Sequence, residues 1–382
     1  MFNIGTLALT GVWTGHAAAV QWWTSVDNVI PELTARWMIG AGDFIPGVFP
    51  FDRGPLQPVL LLWAGEWSTR PTQALILGVI INSSWVIGLW LLLRTLGASE
   101  RRIALVVVLL LLTGPIWINT VYVWPKLLAA GLCLGCAAAI LSKRLFLASA
   151  LAGLALLAHG SAIFALIGLT PWIVMNFRWR SALLFIGVAA IYAPWYAASF
   201  IFDAPGQPQM IQWHFGGTDI GRPDLRNPIT SVVDSYRHAG LQIFGYKLNN
   251  VRTLLGDPTV FQMLHVNHWW EGGWPGQQTA LGQSRRLMLD HLALSPGALL
   301  FGLAWWKMVP KTLLLIVASW ALTYAIFEWG GSVDSASFLH TAPLSVLIGW
   351  AAICAVGAPP WFIIAQLPFF VCVWLLAPPV WL

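Results

Sequence analysis

Charge is what this sequence lacks most. Lys, Arg, Asp and Glu make up 9% of its 382 residues, against about 25% in a soluble domain. That excludes a water-soluble enzyme, because so few charges cannot clothe a polar surface. Cysteine is scarce too, and Cys133, Cys136, Cys354 and Cys372 all fall in apolar runs. Cys133 and Cys136 form a C-x-x-C, but no second pair and no flanking His supports a metal site. All four read as packing residues. The H-E-x-x-H zinc signature is absent. No internal repeat recurs at a fixed period, which disfavours a transporter built from duplicated halves. What is abundant is apolar: 58% of residues are hydrophobic, with a mean hydropathy of +0.72. That much apolar surface excludes intrinsic disorder. Trp numbers 25 against 6 Tyr and 19 Phe, and Trp favours the bilayer interface, where its N–H stays wet. The fold class that follows is an all-α polytopic membrane protein.

A span needs about 20 apolar residues, fewer when the helix is short or broken. No Lys or Arg precedes the first apolar stretch and no credible cleavage site follows it, so it reads as a span and not as a signal peptide. Eleven spans are expected, at 4–24, 72–95, 103–121, 127–142, 145–159, 160–177, 181–202, 293–308, 312–329, 340–356 and 361–380. Residues 145–177 could form one long helix or two short ones, and charge decides. With two, Arg94, Arg101, Arg102, Lys143, Arg144, Arg178, Arg180, Lys307 and Lys311 share one side with a single acid, Glu100. That side carries +8 and the other −3, together the formal +5. Positive charge marks the cytoplasmic side, so the N-terminus is expected inside and the C-terminus outside. The basic pI is then an orientation signal, and no nucleic-acid partner is implied.

Three regions follow: 1–202, a membrane core with a first extracytoplasmic loop at 25–71; 203–292, an extracytoplasmic cap loop; and 293–382, the C-terminal transmembrane helices. Within the first loop, LQPVLLLWA (56–64) is expected to lie in or dip into the membrane face. The cap loop is rich in Gly, Pro and Trp, with seven acids and seven Lys or Arg, and its aromatic content argues for order.

This topology collects polar chemistry on one face. Asp27 sits at the end of the first span, and Asp52-Arg53 lies in a Gly- and Pro-flanked turn. Lys126 ends the connection YVWPK (122–126), and His159 lies where 145–177 breaks. Each has a plain structural reading: a helix-end cap for Asp27, a surface ion pair for Asp52-Arg53, a snorkelling Lys126 and a packed His159. Ionisable groups at membrane depth are nonetheless functional candidates, and their convergence favours a site. In the cap loop, HVNHWWEGGWPG (265–276) spaces His265, His268 and Glu271 three apart. A shared helix face could bind a divalent metal, but the following Gly-Gly argues against a continuing helix, and sugar or headgroup contact is the other reading. Arg285-Arg286 is expected to meet lipid phosphates.

Arg and Lys near the interface can hold a phosphate leaving group, and a carboxylate beside them can take a proton from an attacking hydroxyl. That is the logic of a transferase using a lipid-phosphate sugar. The layout resembles the GT-C superfamily of integral-membrane glycosyltransferases, which carry an acid just after span one, short central helices and lipid-linked donors. More narrowly, VDN at 26–28, FDRGPLQP (51–58), VWPKLLAA (123–130) and LLAHGSAIFAL (156–166) resemble a group of bacterial membrane proteins with D-R-P-P-L-Q, W-P-K and A-H-G signatures, over roughly residues 20–200. The resemblance implies a GT-C-like fold in a bacterial inner membrane, Asp27 as base with Asp52 as a second catalytic carboxylate, Arg53 and Lys126 on phosphate, and His159 in the same cleft. It implies polyprenyl-phosphate lipid as partner and no certain cofactor. Asn28 stands where many members have Glu, and Gly54 where the pattern has Pro. Two other classes stand beside the transferase: a catalytically silent structural subunit of a larger membrane complex, and a lipid or solute transporter.

Overall fold

The computed structural model describes residues 30–40, 54–64, 71–111, 116, 119–120, 125–202, 209–217, 227–255, 305–329, 344–362 and 364–365. All regular structure among them is helical: α1 (Ile30–Met38), α2 (Leu56–Trp63), α3 (Pro71–Asn82), α4 (Trp85–Thr95), α5 (Glu100–Leu111), α6 (Lys126–Leu141), α7 (Leu145–Ala158), α8 (Ala162–Phe177), α9 (Ser181–Phe202), α10 (Gln209–Gly216), α11 (Pro228–Ala239), α12 (Gln242–Leu255), α13 (Lys311–Phe327) and α14 (Leu344–Val356). Among the described residues, two stretches are long and apolar enough to cross a bilayer, Ile76–Thr95 and Ala162–Ala198, while α6, α7, α13 and α14 are shorter apolar helices. The expected spans at 4–24, 293–308 and 361–380 lie wholly or mostly outside the described residues.

Local chemistry sets the boundaries. The expected span at 72–95 is interrupted at Ser83–Ser84, where the Ser83 hydroxyl donates back to the Val79 carbonyl at 2.7 Å and competes with the helical ladder. The helix expected to open at 103 already opens at Glu100. There the Ser99 Oγ accepts the Arg102 amide and the acid lies at the positive end of the helix dipole. Residues 145–177 form two helices, as the sidedness of charge required. His159 leaves the helical region (φ −157°, ψ 134°) to end α7, and Gly160 and Ser161 turn the chain into α8.

Helix directions follow from close contacts. Ser149 donates to the Leu184 carbonyl, and Cβ atoms on Gly187 and Gly153 would fall against Ser149 and Ile191. α7 and α9 are therefore parallel, with α8 returning between them. α8 and α13 are antiparallel: Phe164 meets Tyr324 at 5.8 Å, and the Ser319 hydroxyl donates to the Gly168 carbonyl at 2.7 Å. The end of α13 therefore runs toward the start of α8. Arg102 donates to the Ala358 carbonyl, and Gly357 abuts Trp305 and Met308. One end of the bundle thus collects Arg94, Arg101, Arg102, Lys143, Arg144, Arg178, Arg180, Lys307 and Lys311; the other holds Lys126, His159 and Glu328.

α6 forms the centre, with both cysteines and nearly every residue buried. Small residues make that possible, as they do in membrane bundles generally. A Cβ on Gly88 would lie 2.0 Å from the Gly131 carbonyl oxygen, so only two glycines let α4 and α6 cross there. Cys133, Cys136 and Cys354 are buried packing residues; Cys372 lies outside the described residues. The outer surface is apolar where lipid would touch it, with Phe146, Met175, Ile186, Leu315 and Leu322 exposed. Trp90, Trp179, Trp306 and Trp361 are exposed at the basic end, the position of an interfacial aromatic belt.

Candidate functional site

The polar chemistry of the described residues gathers at the end opposite the basic cluster. α13 is apolar until Glu328, which leaves the helix yet is only 2% exposed. A buried carboxylate needs partners, and the cap helices supply them. His214, near the end of α10 and equally buried, donates from Nδ1 to Glu328 Oε2 at 2.8 Å. The Glu328 carbonyl, orphaned by the helix end, accepts from Asn250 at 2.7 Å and from the Lys247 ammonium, both on α12. Asn250 also donates to the Ala325 carbonyl. Lys247 reaches the Tyr236 hydroxyl at 3.0 Å and lies over its ring.

The cap is anchored on the next residue. The Trp329 amide donates to the His214 carbonyl at 2.7 Å, and its ring packs on Tyr236 and Tyr246. Gly217, at φ +65°, makes room: a Cβ there would lie 1.9 Å from the Trp329 ring. Burial lowers the Lys247 ammonium to about 8, against a smaller upward pull from Glu328. Burial raises the Tyr236 phenol, and the Glu328 carboxylate adds to it.

Lys126, the first residue of α6 after Pro125, is buried, and its charge, like that of Lys247, acts on the Glu328 carboxylate. The phosphate-contact candidate of the sequence therefore lies within electrostatic reach of Glu328. His159 sits at the break between α7 and α8, where Nδ1 accepts the Ser161 amide at 3.1 Å and meets the Ser161 hydroxyl at 2.8 Å. Its evident work is to shape the turn between α7 and α8. Phe164, one turn along α8, stands edge-on to the His214 ring at 5.4 Å. The break thus connects to the Glu328–His214 pair through one aromatic contact.

Gly54 explains its own departure from the D-R-P-P pattern. A Cβ there would fall 2.0 Å from the Leu157 carbonyl oxygen and 2.9 Å from that of Ala158, so the chain entering α2 lies against the end of α7 beside His159. One turn on, Gln57 is fully buried, and neither atom of its amide has a hydrogen-bond partner among the described residues.

Asp27, Asp52, Arg53, His265, His268 and Glu271 lie outside the described residues. No group of three or more metal-ligating side chains occurs among the described residues. Sequence reasoning missed Glu328, His214, Lys247, Asn250 and Gln57. One signal was available: Glu328 is the lone acid in the span expected at 312–329, and a lone acid in an apolar span is a functional flag. His214 had none, because its partner lies 114 residues away.

No family model matches the sequence, and no curated protein matches it. Among solved structures, a crystal structure of ArnT from Cupriavidus metallidurans in the apo state is similar, with 14% identity and a TM-score of 0.38 over 91% of this chain and 77% of that one. A likeness of that degree lends no weight to an activity, so the functional reading stands on this chain's own residues.

Proposed function

We propose that the protein transfers a sugar from a polyprenyl-phosphate donor to an envelope lipid or glycan acceptor on the extracytoplasmic face of a bacterial inner membrane. The observation that carries this reading is the buried Lys126, which opens α6 at the cap end of the bundle and whose charge acts on the buried Glu328. A buried ammonium at a membrane interface suits a phosphate group, and the apolar helix surfaces below suit a prenyl chain. The nine basic residues at the opposite end favour that end as cytoplasmic, which leaves the cap end outside.

In this reading Lys126 and Arg53 hold the donor phosphate, and Asp27 takes the acceptor's proton, with Asp52 the alternative carboxylate. The hydroxyl oxygen of the acceptor attacks the anomeric carbon, the bond to the phosphate oxygen breaks, and polyprenyl phosphate leaves with the electron pair. The cationic groups stabilise the charge that builds on it. His159 acts by holding the break against which the residues before α2 pack. His265, His268 and Glu271 belong to the cap that would cover the acceptor, either through sugar contact or through a divalent metal.

The test uses the full chain in lipid nanodiscs, given synthetic polyprenyl-phosphate sugars and an extract of envelope lipids and glycans. Release of free polyprenyl phosphate coupled to a sugar-modified acceptor, read by mass spectrometry, is the expected result. No transfer from any such donor, with the protein isolated in fixed ratio with other membrane proteins, would replace the reading with that of a structural subunit.

A further inference from the structure

We propose that His214 is the acid of this site, donating a proton from Nε2 to the departing phosphate, with Glu328 as its positioning residue. The inference rests on the transferase reading and adds a residue to it. Three observations support it. The Nδ1–Oε2 bond of 2.8 Å orients the ring with Nδ1 toward the Glu328 carboxyl group. The opposite nitrogen, Nε2, is buried and has no hydrogen-bond partner among the described residues, although buried polar atoms are nearly always paired. And Lys126, the proposed phosphate contact, opens α6 at the same end of the bundle and acts electrostatically on the Glu328 carboxylate.

A carboxylate on one nitrogen stabilises the imidazolium, whose second N–H then seeks an acceptor. A phosphodiester oxygen is such an acceptor. When the bond between the anomeric carbon and the phosphate oxygen breaks, the electron pair goes to phosphate and creates a monoester dianion. A proton passing from Nε2 to the leaving oxygen neutralises part of the charge that builds there. His214 is then neutral with its Nδ1 hydrogen still on Glu328, and the proton taken from the acceptor by Asp27 balances the exchange. The other titratable groups around the pair are Lys247 and Tyr236 from the cap, Lys126 from α6, and Tyr324 on α13, packed through Phe164. His159 uses its Nδ1 in the turn between α7 and α8.

The experiment compares wild type, His214→Gln and Glu328→Gln in nanodiscs with one active polyprenyl-phosphate sugar. Gln retains an N–H donor, so His214→Gln should keep KM within a few-fold while kcat falls at least ~10²-fold and the rate loses its decline at alkaline pH. Glu328→Gln should lower kcat and shift that alkaline decline without abolishing it. Independently of turnover, ¹⁵N-histidine spectra of the wild-type protein titrated with polyprenyl phosphate should show the Nε2 resonance of His214 moving to a hydrogen-bonded N–H. Wild-type kcat and an unchanged pH profile in His214→Gln would overturn the inference and leave the transferase reading intact. So would an Nε2 resonance indifferent to polyprenyl phosphate. A wild-type protein that transfers from no polyprenyl-phosphate sugar would overturn both.

Discussion

Two kinds of residue meet at the cap end: groups whose chemistry the sequence announced and groups that only the fold could bring together. Lys126 belongs to the first kind, because a Lys opening a short apolar helix after Pro125 is visible in one dimension. Glu328, His214 and Lys247 belong to the second, since each looks like a stray polar residue until α10 and α12 dock on the end of α13. Asp27 carries the clearest prediction at this scale. Asp27→Asn keeps the shape but cannot accept a proton, so turnover should fall by ~10²–10⁴-fold while donor binding is unchanged, a contrast read by comparing kcat with equilibrium binding of the donor. Lys247 carries one on pH. Its ammonium is lowered from 10.5 to about 8, so between those values the unfolded chain holds a proton that the folded chain has released. Stability then rises with pH across that window, though the half-exposed side chain keeps the effect small. The melting temperature of the wild type relative to Lys247→Gln should climb from pH 7.5 to pH 9.5; a flat difference would contradict the origin of the shift.

Among the described residues, the apolar helices α6 to α9 and α13 were legible from apolar run length to within a few positions, whereas α1 and the cap helices α10 to α12, which are short and more polar, were not. The interruption at Ser83–Ser84 was passed over, although the polar triplet Asn82-Ser83-Ser84 stands within the expected span and the Ser83 hydroxyl returns there to its own helix. The break at 159–161 was legible only through charge, since composition alone permits a single helix. Labelling can check it directly: Trp179→Cys, exposed between Arg178 and Arg180, should react with an impermeant maleimide from the cytoplasmic side only. Reaction from outside would invert every later helix. Gly54 gives a sharper prediction for the entry to α2. Proline restores the pattern of the resembling proteins, yet any Cβ at that position meets the Leu157 carbonyl oxygen at 2.0 Å. Gly54→Pro should therefore lower the melting temperature in detergent and loosen the α2–α7 contact. An unchanged melting temperature would show that the backbone there yields.

Across the whole molecule the charge asymmetry organises everything else. Nine basic residues and four exposed Trp mark one end; buried ionisable groups and the aromatic cap mark the other. A large net positive field at one end needs no nucleic-acid partner when the membrane itself reads it. The segregation was foreseeable from loop charges, whereas the depth of burial at the cap end was not, because burial depends on which helices cover which ends. That depth matters for function: a phosphate bound at a buried ammonium is screened little by salt, so one lysine can dominate its retention. The most direct measurement is native mass spectrometry of nanodisc-embedded protein supplied with polyprenyl phosphate, wild type against Lys126→Ala. Stoichiometric retention by the wild type and at least a tenfold weaker retention by Lys126→Ala, with both proteins folded, is the predicted result. Equal retention by the two, or none by either, would contradict a donor-phosphate site at this end of the bundle.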